Sequence, residues 1–146
     1  MLALIQLVKH ASVKVDGQII ANIDDGILAL IGLEKTDTPS QGEKLIERIL
    51  NYRIFPDANG KMNLSLKDVK GALLLVPQFT LVAETQKGTR PGFSKGMQPA
   101  EGKILFDHLT TYAKTQQDTV QTGQFGAYMQ VSLCNDGPAT FLLHAN

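Results

Sequence analysis

The sequence has little cysteine and little histidine. Its 146 residues contain one cysteine, Cys134, so no intramolecular disulfide is possible, and a reducing compartment suits such a chain. Net charge is also missing, with 14 basic residues against 14 acidic. A protein that coats nucleic acid is usually basic overall, so any RNA contact here is expected to be local and small. Long apolar runs are absent: Ile27 to Leu33 falls far short of the ~20 residues a membrane helix requires. The opening MLALIQLVKHASVKV has no basic region or cleavage-like site of a secretory signal. These absences predict a cytoplasmic protein with no membrane partner.

The usual catalytic sets are missing too. Of the three histidines, His10, His108 and His144, none stands in H-x-x-x-H spacing, and the lone cysteine has no partner, so no metal site is expected. His108 is read as a packed histidine on an apolar helix face, His10 as a surface residue and His144 as part of a frayed end. Cys134 is read as a buried, inert thiol. There is no G-x-S-x-G elbow and no P-loop or dinucleotide glycine pattern. No cofactor is expected.

What is present is an ordinary globular composition, 43% hydrophobic and 19% charged, without linker, repeat or low-complexity tract. The length fits one domain over residues 1–146, which would bury roughly 70% of its unfolded surface. Leu2 to Val8 has strand length and is mostly apolar. Ser12 to Val15 and Gln18 to Ile23 flank Asp16-Gly17, a two-residue hairpin turn. Ile27 to Leu33 reads as a strand buried on both faces. Thr38-Pro39-Ser40-Gln41 forms a helix start with a capping box, and the helix it opens should end near Tyr52 or Arg53. Ala72 to Val76 is another apolar strand. A second helix spans Pro99 to Gln116, with Ile104, Leu105, His108, Leu109 and Tyr112 on one face. Met129, Val131 and Leu133 alternate with polar residues, and Phe141 to Leu143 forms a last short strand. Connections read as mostly hairpin-like. The expectation is an α+β fold: antiparallel or mixed sheets packed as a partial barrel, with two amphipathic helices outside.

Three segments carry functional interest. At Gln78-Phe79-Thr80 an apolar strand turns polar, which is a common place for a site. The pattern alone favours a half-buried strand running on through Leu81 and Val82. Asn135-Asp136-Gly137-Pro138-Ala139-Thr140 reads first as a tight turn between two strands. A Gly-Pro bond there can also be cis at a cost of about 0.5–1 kcal/mol. The loop from Lys87 to Gly96 carries Lys87, Arg90, Lys95 and Phe93. It can either hold phosphates and stack a base, or be a mobile surface loop.

Together these segments resemble the D-aminoacyl-tRNA deacylases. Gln-Phe-Thr-Leu at 78–81 and Asn-Asp-Gly-Pro-Ala-Thr at 135–140 look like that family's two signatures, S-Q-F-T and N-x-G-P-x-T. Ala-Leu-Ile-Gln at 3–6, Ala-Ser-Val at 11–13 and Tyr-Arg-Ile-Phe at 52–55 extend the likeness. So do Gly-Lys-Met-Asn-Leu at 60–64, Arg-Pro with Phe-Ser-Lys-Gly at 90–96 and Met-Gln-Val-Ser-Leu at 129–133. The resemblance implies a homodimeric hydrolase that cleaves the ester of D-aminoacyl-tRNA, and also of glycyl-tRNA mischarged on alanine tRNA. It implies catalysis at Gln78, Phe79 and Thr80, with Thr80 either a nucleophile or a positioning group. Backbone N–H groups near Phe79 and Thr80 are the candidate oxyanion donors, and the resemblance points to the terminal ribose 2′-OH as a helper. A cis Gly137-Pro138 reaches into the partner's pocket and excludes L-amino acids, with Asn135, Thr140 and Met129 in the same selecting site. Lys87, Arg90, Phe93 and Lys95 face the tRNA, and DNA is no partner.

The chain departs from the family's pattern twice: Pro77 stands where serine is usual, and Leu7 where an arginine is thought to brace the Gly-Pro segment. Two other readings stay open. One is a related proofreader with a trans Gly-Pro bond that removes L-alanine; the other is a non-catalytic RNA or nucleotide binder.

Overall fold

A computed structural model describes residues 1–146. The chain opens with strands β1 (Leu2–Val15) and β2 (Gln18–Ile23). Asp16 and Gly17 join them at φ 49° and 79°, the left-handed pair that a two-residue hairpin needs. There follow β3 (Gly26–Gly32), α1 (Pro39–Asn51), β4 (Phe55–Pro56), β5 (Met62–Leu64), α2 (Leu66–Val69) and β6 (Ala72–Pro77). A 3-10 turn (Phe79–Val82), α3 (Pro99–Gln116), β7 (Val120–Thr122) and β8 (Gln130–His144) complete it.

The main sheet runs β2-β1-β3-β6-β7, and β8 also pairs with β1. The result is a mixed α+β architecture whose sheet curls into a nearly closed barrel. β1 holds it together because β3 pairs with its first half, β2 with its second, and β8 with both. β3, β6 and β7 are parallel neighbours, so α1 and α3 lie within crossover connections where hairpins had been expected. The near-continuous apolar runs of β3 and β6 fit that parallel setting, in which both faces are covered.

Two cores result. One face of the sheet meets the helices through Ile5, Ile31 and Leu75 against Ile46, Ile49, Phe106 and Leu109. The other face encloses Val8, Ala11, Val13, Ile23, Leu28 and Leu74. β1 serves both: Ala3, Ile5 and Leu7 face the first core, and Val8, Ala11 and Val13 the second. Register shifts at Gln6/Val8 and Val8/His10 allow the change of side.

The α1 capping box forms as its residues dictate. The Thr38 N–H donates to Gln41 Oε1 at 2.9 Å and the Gln41 N–H to Thr38 Oγ1 at 3.3 Å. The α3 boundaries match the reading, but its buried face does not. Gly102, Leu105, Phe106, Leu109 and Ala113 face inward, while Ile104 is 72% exposed. His108 is not a packed histidine either; it lies on the exposed flank, and its Nε2 meets Glu43 Oε1 at 2.8 Å. Cys134 is exposed, because it shares the outward parity of Gln130 and Ser132 on β8.

Candidate functional site

β6 ends at Pro77, and the chain does not continue as a strand through Val82. It folds at once into the 3-10 turn, with the Gln78 N–H donating to Ile31 O at 2.8 Å. Gly32 on β3 makes room: a Cβ there would meet Val82 Cγ1 at 2.9 Å and Leu81 Cβ at 3.1 Å. The turn can therefore pack against β3 while Phe79 and Thr80 stay exposed. The N–H groups of Phe79 and Thr80 open the turn and donate to no carbonyl, as expected for first-turn donors. The Gln78 side-chain amide donates to Thr80 Oγ1.

Beside this turn lies a cavity of about 590 Å³, within the usual size range for a small-ligand site. Gln78 and Phe79 line one wall; Phe93 and Met97, Gly102 of α3, and Phe125 to Met129 line the others. No carboxylate, histidine, lysine, arginine or cysteine lines it; the only ionisable group is the Tyr128 phenol. Phe93 packs on Phe79 with ring centroids 5.3 Å apart. Pro77, at the position where the signature has serine, lines the cavity as well.

The loop bearing Phe93 is pinned. Glu84 and Gly92 exchange backbone hydrogen bonds at 2.8 and 3.0 Å. Lys95 Nζ lies 2.7 Å from Glu84 Oε2. That contact, with the Gln86 N–H on the same carboxylate, holds the Glu84 carboxyl below its usual range and raises the Lys95 ammonium above its own. Lys87 and Arg90 are exposed and make no ion pair.

Asn135 to Thr140 does not reverse the chain. β8 passes straight through, with Asn135 opposite Val8 and Thr140 opposite Gln6. Leu7 on β1 therefore faces residues 136–139, which bulge out of the ladder. Gly137 and Pro138 are exposed and joined by a cis peptide, with Gly137 at φ 138°, a conformation that favours glycine. The bulge is laced by side chains. The Ala139 N–H donates to Asn135 Oδ1 at 3.1 Å, and Asn135 Nδ2 donates to Thr140 Oγ1 at 2.9 Å. Gln6 Nε2 reaches the same Thr140 oxygen at 3.3 Å, and Lys9 Nζ lies 3.7 Å from Asp136. Leu7 is buried in the core beneath. With Leu7 in place of the arginine that the resemblance expects, the hydrogen bonds about the bulge come from Gln6, Asn135 and Thr140.

The structure brings Gln78, Phe79, Phe93 and Met129 together at one cavity, with Thr80 adjoining. Gly137, Pro138, Asn135, Thr140, Lys87, Arg90 and Lys95 do not line it. The walls from Met97, Gly102 and Phe125 had no local signal in the sequence, because each comes from a different loop or helix.

A family model for D-Tyr-tRNA(Tyr) deacylase matches residues 4–144. The chain belongs to that family. A D-aminoacyl-tRNA deacylase of Pseudomonas fluorescens (strain Pf0-1) is 54% identical over 143 residues, covering 98% of this chain and 99% of that protein. The enzyme of the same name from Stutzerimonas stutzeri (strain A1501) is 52% identical over 145 residues, covering 99% and 100%. Among solved structures, the c-Myc DNA unwinding element binding protein superposes with a TM-score of 0.95 at 35% identity, covering 100% of this chain and 99% of its own. A probable eukaryotic D-amino acid tRNA deacylase superposes with a TM-score of 0.86 over 97% of each chain; at 15% identity it speaks for the fold alone. Like its family, the chain is a hydrolase that cleaves the ester of D-aminoacyl-tRNA.

Proposed function

We propose that the cavity seats the terminal adenosine of D-aminoacyl-tRNA, so that the ester carbonyl meets the N–H groups of Phe79 and Thr80. One observation carries this reading: two unclaimed donors beside a cavity whose walls hold no acid or base except the Tyr128 phenol. An aminoacyl ester is already activated, so oriented donors suffice, at about 3–4 kcal/mol each for the developing oxyanion. The substrate's own terminal ribose 2′-OH serves as the helper that the protein does not provide. Thr80 is a positioning group. No base contacts its hydroxyl, whose one hydrogen-bond partner is the Gln78 amide, whereas a nucleophilic hydroxyl must give its proton to a base.

Handedness is judged by the Gly137-Pro138 bulge of a second subunit. In its own chain the bulge projects from the sheet and does not line the cavity, so in a homodimer it can enter the neighbour's site. There its backbone leaves no space for an L side chain. Glycine lacks a side chain, so glycyl-tRNA mischarged on alanine tRNA is also cleaved. The working compartment is the cytoplasm. The DNA element in one neighbour's name is not carried over, because a chain of zero net charge provides no overall field to attract duplex DNA.

The test compares D-tyrosyl-, L-tyrosyl- and glycyl-tRNA as substrates, with sedimentation at the assay concentration. D-tyrosyl- and glycyl-tRNA are expected to be cleaved by a dimer, and L-tyrosyl-tRNA spared. Selective cleavage by a species that sediments as a monomer would overturn the cross-subunit reading; equal cleavage of both tyrosyl forms would overturn the selection itself.

A further inference from the structure

The loop between β7 and β8 places two aromatic rings in opposite senses. Phe125 turns inward, its ring centroid 6.1 Å from that of Phe106, and Gly102 leaves space for it: a Cβ there would meet Phe125 Cζ at 3.0 Å. Tyr128, three residues on, borders the same cavity yet is 93% exposed. The loop holding it is fixed. The Gly123 N–H donates to Leu75 O at 2.8 Å and the Ala127 N–H to Gln124 O at 3.2 Å. The Gln124 N–H points to Met129 Sδ at 3.4 Å, and Gly126 takes φ 78°.

Nothing in the fold uses the Tyr128 ring. It has no aromatic partner, unlike Phe79, Phe93, Phe106 and Phe125, and its hydroxyl makes no hydrogen bond in the chain. A large amphipathic ring held at the lip of a cavity, with its face unclaimed, is what single-stranded nucleic acid stacks upon.

We propose that Tyr128 is a second base subsite: a platform on which the penultimate base of the tRNA acceptor strand stacks while the terminal adenosine occupies the cavity. The proposal rests on the cavity reading above. With the last nucleoside inside, the strand must leave across the lip, and its next base arrives where the cavity opens. Phe93 is already engaged with Phe79, which leaves Tyr128 as the unoccupied ring on that path.

The test uses AMP and the dinucleotide cytidylyl-(3′→5′)-adenosine as competitive inhibitors of D-tyrosyl-tRNA hydrolysis. In the wild type the dinucleotide should inhibit on the order of tenfold more strongly than AMP, a typical return for one stacked base. Tyr128→Ala should remove that difference, weaken AMP far less than the dinucleotide, and raise KM for D-tyrosyl-tRNA on the order of tenfold with little change in kcat. Tyr128→Phe should restore wild-type behaviour, because the ring and not the hydroxyl does the stacking. A dinucleotide no better than AMP in the wild type would overturn the subsite while sparing the cavity reading. So would a Tyr128→Ala variant that weakens AMP equally, or one that dissociates in sedimentation and so places the ring in a protein contact. Failure of both compounds to compete would overturn the cavity reading and this subsite with it.

Discussion

Thr80 Oγ1 is occupied by the Gln78 amide as donor, which leaves its own hydrogen to offer to a substrate oxygen. Removing the hydroxyl should therefore weaken positioning without abolishing chemistry. Thr80→Val is expected to slow single-turnover hydrolysis of D-tyrosyl-tRNA by about tenfold to a hundredfold, with Thr80→Ser near wild type. Loss of a true nucleophile costs roughly a millionfold in the best-studied hydrolases. Acid-quenched mass spectrometry should show no acyl group on Thr80; finding one would make the residue a nucleophile. A second residue gives a pH signature. Tyr112 donates to Glu47 across α3 and α1, and that hydrogen bond, with burial and the Glu47 charge behind it, pushes the phenol up from 10.0 to about 12. A pKa raised in the folded state stabilises the fold fully below the unfolded value, and the contribution fades as pH climbs through the folded one. Chemical denaturation of wild type should thus lose stability between about pH 10 and 12, and Tyr112→Phe should flatten that part of the profile. An unchanged profile in the variant would place the alkaline loss elsewhere.

Among the elements, the 135–140 bulge is the one proposed to select handedness, and the Asn135 and Thr140 side chains hold its shape. Asn135→Ala removes the acceptor for the Ala139 N–H as well as the donor to Thr140. The D-to-L rate ratio on tyrosyl-tRNA is expected to fall by about tenfold, the scale of one lost hydrogen bond at roughly 1.4 kcal/mol. An unaltered ratio would mean that the bulge keeps its shape without this lacing. The capping box of α1 offers a control on stability alone: Thr38→Ala should cost about 1 kcal/mol in urea denaturation and leave the ratio untouched. These two elements also mark what a sequence exposes. The α1 boundaries are legible because a cap is local, Thr38 and Gln41 being three residues apart. Asn-Asp-Gly-Pro is not, since whether it reverses or bulges depends on β1 continuing opposite through Gln6, Leu7 and Val8. The same holds at Gln78. Its neighbours Leu81 and Val82 look like more strand, and only the missing side chain of Gly32 across the sheet permits the 3-10 turn. The short helix α2 has a local signal as well, since Ser65 and Asp68 form the capping box that opens it.

At the scale of the whole molecule the cavity is a meeting of distant stretches: the end of β6, the pinned loop at 93–97, the start of α3 and the β7–β8 loop. The motif at 78–80 locates one wall, and no periodicity in the chain announces the other three. Charge follows the same logic, since a neutral chain has no overall field for tRNA, and the proposed phosphate contacts are local ones on the loop bearing Phe93. Of the three cations on the loop, Lys95 is paired with Glu84, so Lys87 and Arg90 are the two proposed to meet phosphates. Each phosphate neutralised on a single strand contributes about 0.7 to the slope of log affinity against log salt, so two contacts give a slope of about 1.4 in magnitude. KM for D-aminoacyl-tRNA, measured from 50 to 200 mM salt, should therefore rise roughly sevenfold. Arg90→Ala should raise KM at low salt and reduce the slope by about 0.7, and Lys87→Ala should do the same. Lys95→Ala behaves differently if its ammonium serves the loop: kinetics shift through the displaced Phe93, but the slope stays. A wild-type slope of 5 or more, unmoved by changes at Lys87 and Arg90, would shift the phosphate contacts to another face of the protein.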